Sequence, residues 1–117
     1  MKTWIKIGGL LGFLGVALGA FGAHGLRSAV YPDMLEVYKT GVFYHLIHSL
    51  VILGIGFFGN EKYKKAALFF LIGIILFSFS LYLLAITSIS QFGYITPFGG
   101  ISFLIGWSFL IYSGFKN

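Results

Sequence analysis

The chain has no cysteine, three acidic residues and two prolines among 117 positions. Without cysteine there is no disulfide, zinc–thiolate site, iron–sulfur cluster or thiol redox chemistry, and the redox compartment is left open. The three acids, Asp33, Glu36 and Glu61, fall in loops or at helix ends. No apolar stretch therefore carries a central carboxylate. This argues against antiport that exchanges a proton for a cation at a membrane acid, and against a carboxylate-based hydrolase. Charge of either sign is scarce, at 9% of residues against about 25% in soluble domains. No glycine-rich phosphate loop follows a strand, and no basic surface suits nucleic acid.

Hydrophobic residues make up 58% of the chain and aromatic residues 20%. At about 20 residues per crossing the length accommodates four membrane helices with short connections. The expected architecture is all-α, a single transmembrane domain over 1–117 forming a four-helix bundle. Its spans lie at about 5–23, 34–58, 66–86 and 97–115. Trp4 is placed as an interfacial anchor and Pro32 as the first residue of the second helix. Asn60 is a plausible cap in the Gly59–Lys65 turn, and Thr96 followed by Pro97 reads as cap and first position of the fourth helix. The segments 24–31 and 87–96 are expected as loops. Small residues at 20–23 would also suit a signal-peptide cleavage site, but signal cores are rarely patterned with a helical glycine stripe.

That stripe organises the first span. Gly8, Gly12, Gly15, Gly19 and Gly22 are spaced by four, three, four and three, which confines them to an arc of roughly 80° on a helix. In lipid, a strip of bare backbone lets another helix approach closely. The stripe is therefore expected to be the central contact surface of the bundle, with Gly99 and Gly106 repeating the seam on the fourth span.

Polar side chains inside apolar stretches are the default functional candidates. His45 and His48 share a stripe of the second span with Tyr38, Gly41, Ile52 and Gly56, bordered by Ser49. The pair with His24 has the residue types for a metal, one ring could ligate haem, or the two could relay a proton. Against these stands the plain reading, two neutral rings hydrogen-bonded within the bundle. Ser78 and Tyr82 share a face of the third span. Trp107 lies too deep for an interfacial anchor, so its indole N–H calls for a partner inside. No catalytic set accompanies these residues, and no metal or cofactor is expected. The partners expected are the lipid bilayer and either a second copy or a larger membrane complex.

Lys2, Lys6, Lys62, Lys64, Lys65 and Lys116 lie on one side, against Arg27 and Lys39 on the other. The bias places both termini in the cytoplasm.

Several blocks, in order along the chain, carry a resemblance. They are Leu18-Gly19-Ala20-Phe21-Gly22-Ala23-His24-Gly25-Leu26; Thr40-Gly41 with Tyr44 and His48; Leu76-Phe77-Ser78 and Ser80-Leu81-Tyr82; and Thr96-Pro97-Phe98-Gly99-Gly100 with Gly106-Trp107. In these the chain resembles the small bacterial inner-membrane proteins of domain-of-unknown-function family 423, related to animal transmembrane protein 256. Phe79 stands where that family commonly has glycine, and His45 where glutamine is also common. The resemblance implies a four-helix plasma-membrane protein and supplies no settled activity. From the residues, association within the membrane ranks first, a ligand between the helices second, and a small transporter lined by Tyr38, His45 and Ser49 third.

Overall fold

Apolar stretches separated by short breaker clusters fold into four helices in the computed structural model, which describes residues 1–116. They are α1 (Lys2–Leu26), α2 (Pro32–Phe58), α3 (Glu61–Thr87) and α4 (Ser90–Lys116), each long and apolar enough to cross a membrane. Pro32 opens α2 after an extended Tyr31, where its missing N–H costs nothing. Gly59 closes α2 with φ 77°, a left-handed conformation that glycine adopts without strain. The Asn60 side chain accepts the Lys62 N–H at 3.0 Å.

Both expected loops are partly helical. Residues Ala23–Leu26 continue α1, and Ser90–Tyr94 open α4 as a 3₁₀ turn before its α-helical part, Thr96–Lys116. Thr96 bonds across helices instead of capping its own: its hydroxyl meets that of Ser80 on α3 at 2.6 Å. A hydroxyl facing a packed helix in an apolar setting takes the nearest polar partner.

Neighbouring helices run antiparallel, with α1 along α2, α2 along α3 and α3 along α4. The Cα envelope measures 49 × 25 × 17 Å, a flattened bundle in which α2 and α3 are inner and α1 and α4 outer. The first span is thus not the centre. Its glycines have no side chains to reach past the one helix they touch, whereas α2 meets all three others. The outward faces carry large apolar residues such as Leu10, Phe13, Leu50 and Leu104, suited to acyl chains.

The α1–α2 contact is centred on Trp4, Gly8, Leu11 and Gly15, all buried and spaced by four, three and four, the seam of left-handed helix pairs. A methyl at Gly8 would lie 2.8 Å from the Leu53 backbone nitrogen, and one at Gly19 would lie 2.9 Å from Val42 Cγ1. At Gly15 it would meet Leu46 Cδ2 at 2.5 Å, and at Gly22 it would collide with the Tyr38 hydroxyl. Gly12 departs from the expected stripe, with nothing within 4 Å of where its Cβ would be. The seam is displaced toward Leu11, so Gly12, about 100° further round the helix, is rotated to the edge.

The α3–α4 contact works by phenyl rings in glycine gaps. Phe70 fills the space over Gly106, Phe103 that over Gly73, and the Phe77 backbone presses on Gly99. Each helix supplies both knob and hole, fixing the antiparallel register. π-Helical turns at Leu18–Gly22 in α1 and Ile74–Ser78 in α3 each insert one residue and re-aim the face that follows.

Gly8→Ala is expected to destabilise the fold by about 1–3 kcal/mol, because backbone and not a movable side chain stands in the way. Gly12→Ala should cost nothing. Reversible unfolding in mixed micelles measures both, and equal losses would mean that the seam is wrongly placed.

Candidate functional site

In an apolar interior a side chain that donates a hydrogen bond needs an acceptor not already enclosed, and helix carbonyls are the commonest one. The carbonyl of residue i lies beneath the side chain of residue i+4. Glycine at i+4 therefore uncovers it. Leu11 and Gly15 form such a pair, and the His45 ring, wholly buried, comes down over Gly15 to place Nε2 at 2.8 Å from the Leu11 carbonyl oxygen. Because that oxygen only accepts, Nε2 carries the proton. The other nitrogen, Nδ1, then accepts the Tyr82 hydroxyl at 2.7 Å. One neutral imidazole ties α1, α2 and α3 together.

Seven residues along, the device recurs. The Tyr38 hydroxyl donates to the Leu18 carbonyl at 2.6 Å, and Gly22, four residues after Leu18, provides the gap. On α3 it appears a third time. The Ser102 hydroxyl donates to the Phe69 carbonyl at 2.7 Å, and Gly73 stands four residues after Phe69.

His48 faces the other way. Its Nδ1 donates to the Tyr44 carbonyl of its own helix at 2.8 Å. Its Nε2 accepts the Trp107 indole N–H at 3.1 Å, the partner that this deep tryptophan requires. The ring lies flat on Phe103, 3.7 Å between centroids and 9° between planes, with Phe70 at 5.3 Å. The two histidines are thus neutral in opposite tautomers. Every ring nitrogen has a protein partner, and a ligand at either ring would have to displace one.

The structure does not bring His24 to this pair. It is exposed near the end of α1, where Nδ1 accepts from the Arg27 guanidinium at 2.6 Å. A position beyond the glycine seam leaves it outside the packed layer. Among the described residues no group of three or more His, Cys, Asp or Glu side chains is placed to hold a metal ion. Tyr38 and Ser49 are as enclosed as His45, and the Ser49 hydroxyl is turned back onto the His45 carbonyl at 2.7 Å. Within one copy these three residues pack in the interface, with Ser49 also at the inner edge of a groove between α1 and α2.

Ser78 is wholly buried and its hydroxyl has no protein partner, contrary to the bond with its own helix that a buried serine normally makes. The π-helical turn is the cause. It ends at Ser78, and the Phe79 N–H takes the Ile74 carbonyl that a helical Ser78 would reach back to. Ser80 instead donates to the Phe77 carbonyl at 2.9 Å. Tyr82 and the Ser78 carbonyl close over Gly41, so this α2 glycine seats α3 as α1's glycines seat α2. Sequence reasoning missed the carbonyls of Leu11, Leu18 and Phe69, and Ser102 with them. The findable signal was a glycine four residues after each carbonyl, opposite a donor on the next helix.

Four long apolar helices locked by side chain-to-backbone bonds define a small all-helical membrane protein. A family model described as a protein of unknown function, DUF423, matches residues 18–100. The chain is 40% identical to UPF0382 membrane protein YwdK of Bacillus subtilis, over 99% of this chain and 98% of that one. It is 41% identical to a UPF0382 membrane protein of Haemophilus influenzae, over 99% and 96%. With UPF0382 inner membrane protein YgdD of Escherichia coli it shares 38% identity, over 86% and 79%. The chain belongs to the DUF423 family of membrane proteins. No solved structure matches it.

A glutamine at 45 has both a donor for the Leu11 carbonyl and an acceptor for Tyr82. His45→Gln should therefore keep most of the stability, whereas His45→Leu should lose about 1–2 kcal/mol, the scale of two interhelical bonds. A double-mutant cycle with Tyr82→Phe should show coupling only while residue 45 can accept. Equal losses for the two variants would refute the hydrogen-bonding role.

Proposed function

We propose that the protein acts without catalysis, by pairing with a second copy of itself in the bacterial inner membrane, its termini on the cytoplasmic side. The observation that carries this reading is a groove of about 370 Å³ between α1 and α2, floored by Gly8, Gly9 and Gly12 and flanked by Phe13 and Val16. Gly9 and Gly12 meet nothing within 4 Å of their Cβ positions, so the fold itself makes no use of them. Glycine in a lipid-facing position loses packing unless another helix occupies the space.

Self-pairing is favoured because the same face supplies both shapes. Phe13 is 72% exposed and Val16 61% exposed, ridges of the size that a bare glycine groove receives. A two-fold axis would set each copy's ridge into the other's groove, the self-complementary arrangement of most homodimers. Loops are short and the two buried histidines have both ring nitrogens bonded within the bundle, which supports lateral contact as the reading of the surface. The lysine bias toward the α2–α3 turn and the two chain ends supports the orientation, and one relative is named an inner membrane protein.

The chain has no cysteine, so single cysteines can be read cleanly. Gly12→Cys should give a crosslinked dimer in native membranes, and Leu104→Cys, on the exposed face of α4, should not. Gly12→Leu should abolish the dimer seen by native mass spectrometry while leaving helix content unchanged, and unfolding unchanged at dilutions where the parent is monomeric. A protein that stays monomeric in mild detergent and in membranes, or that crosslinks equally at both sites, refutes the proposal.

A further inference from the structure

The antiparallel pairing of α3 with α4 brings the start of one beside the end of the other, and with them four of the chain's eight lysine and arginine residues. Lys62 and Lys65, three residues apart, share a face of α3 and border a cleft of about 310 Å³ whose opposite wall is Tyr112 and Lys116, with Phe109 deeper in. Among the described residues Glu61 is the one carboxylate at the rim, and three ammonium groups outnumber it. It forms no close pair with any of them, since among the described residues the only ion pair within 4 Å is Lys39 with Glu36. The Lys116 ammonium rests over the Tyr112 ring at 5.7 Å, and that of Lys62 over Tyr63 at 5.2 Å, which restricts two of the three cations at little cost in hydration.

A second feature continues the first. Phe109 and Tyr112 also line an apolar furrow of about 290 Å³ that extends down α4 past Ser108 to Ile105. A positively charged cleft at the end of a membrane helix, opening into an apolar furrow along it, matches a molecule with a phosphate at one end and a hydrocarbon chain at the other. We infer that this cleft binds an anionic phospholipid of the cytoplasmic leaflet, its phosphodiester among Lys62, Lys65 and Lys116 and an acyl chain along Phe109 and Ile105. A soluble phosphate would satisfy the lysines and leave the furrow unused.

The test uses the full chain in mild detergent, with equal amounts of phosphatidylglycerol and phosphatidylcholine added and retained lipid read by native mass spectrometry. Phosphatidylglycerol should be retained in preference. Lys62→Gln with Lys65→Gln and Lys116→Gln should weaken retention by about fivefold for each lysine removed, the scale of a lysine near an anionic surface. The variant with Lys2→Gln, Lys6→Gln and Lys64→Gln, which removes equal charge from the same side, should retain lipid as the parent does. All six positions are exposed, so both variants keep the fold. Equal loss in the two variants, no preference over phosphatidylcholine, or displacement of the lipid by inorganic phosphate alone would each overturn the inference.

Discussion

The packing of this protein depends on uncovered backbone carbonyls. A helix in lipid hides its carbonyls under its own side chains, and a glycine four residues on removes the cover. Water is not there to occupy the exposed oxygen, so a donor from the next helix does. Leu11 receives His45, Leu18 receives Tyr38 and Phe69 receives Ser102. Each bond contributes only about 0.6 kcal/mol on average and up to about 1.7, too little to hold a fold together by itself. Its importance is geometric. His45 and Tyr38 are seven residues apart, as are Gly15 and Gly22, so a slip of α1 against α2 by any distance short of a heptad breaks both bonds and drives side chains into backbone.

The two halves solve the same problem with different materials. Between α1 and α2 the glycines admit backbone, aliphatic side chains and the polar groups of His45 and Tyr38; between α3 and α4 they admit the Phe77 backbone and two phenyl rings, Phe70 and Phe103, each seated in a gap on the facing helix. The halves meet where both materials are present. His48 is stacked on Phe103 and bonded to Trp107 of α4, and His45 is bonded to Tyr82 of α3 and to the α1 backbone. The stripe of α2 that carries both rings is therefore the joint of the molecule. Its neighbours explain the flattened shape, since α1 and α4 each dock on one side of the α2–α3 pair without meeting extensively.

Four helices and their apolar faces were legible from the sequence, because apolar length in lipid leaves the backbone no other choice. The glycine pattern was legible as a contact surface, and the buried tryptophan as a group in need of an acceptor. What escaped was rotation. Periodicity confines five glycines to one arc but does not say which edge of it faces α2; Leu11 decides that, and an apolar leucine among leucines gives no signal. His24 was grouped with the other histidines because residue type is visible in a sequence and distance is not. Ser78 shows the same gap in finer detail, since a single extra residue in a π-helical turn removes the carbonyl that ordinary helical spacing would offer it.

The saturation of the histidines bears on where function can reside. A ring that holds a metal or a haem iron must present a free nitrogen, and a ring that passes a proton must exchange one partner for another without disturbing its surroundings. His45 spends one nitrogen on a backbone oxygen that cannot give a proton back, and His48 does the same with Tyr44. Turning either ring would leave two buried groups unpaired at once, at about 1–3 kcal/mol each. These side chains hold helices at fixed rotation, and apart from the buried Ser78 hydroxyl unused capacity is found at the open glycines of α1 and the lysines where α3 begins and α4 ends. The glycines lie on the outer face of α1, and the lysines at one end of the bundle, where α3 and α4 meet. The proposed pairing of two copies draws on this division, since it uses positions that the bundle itself leaves unfilled.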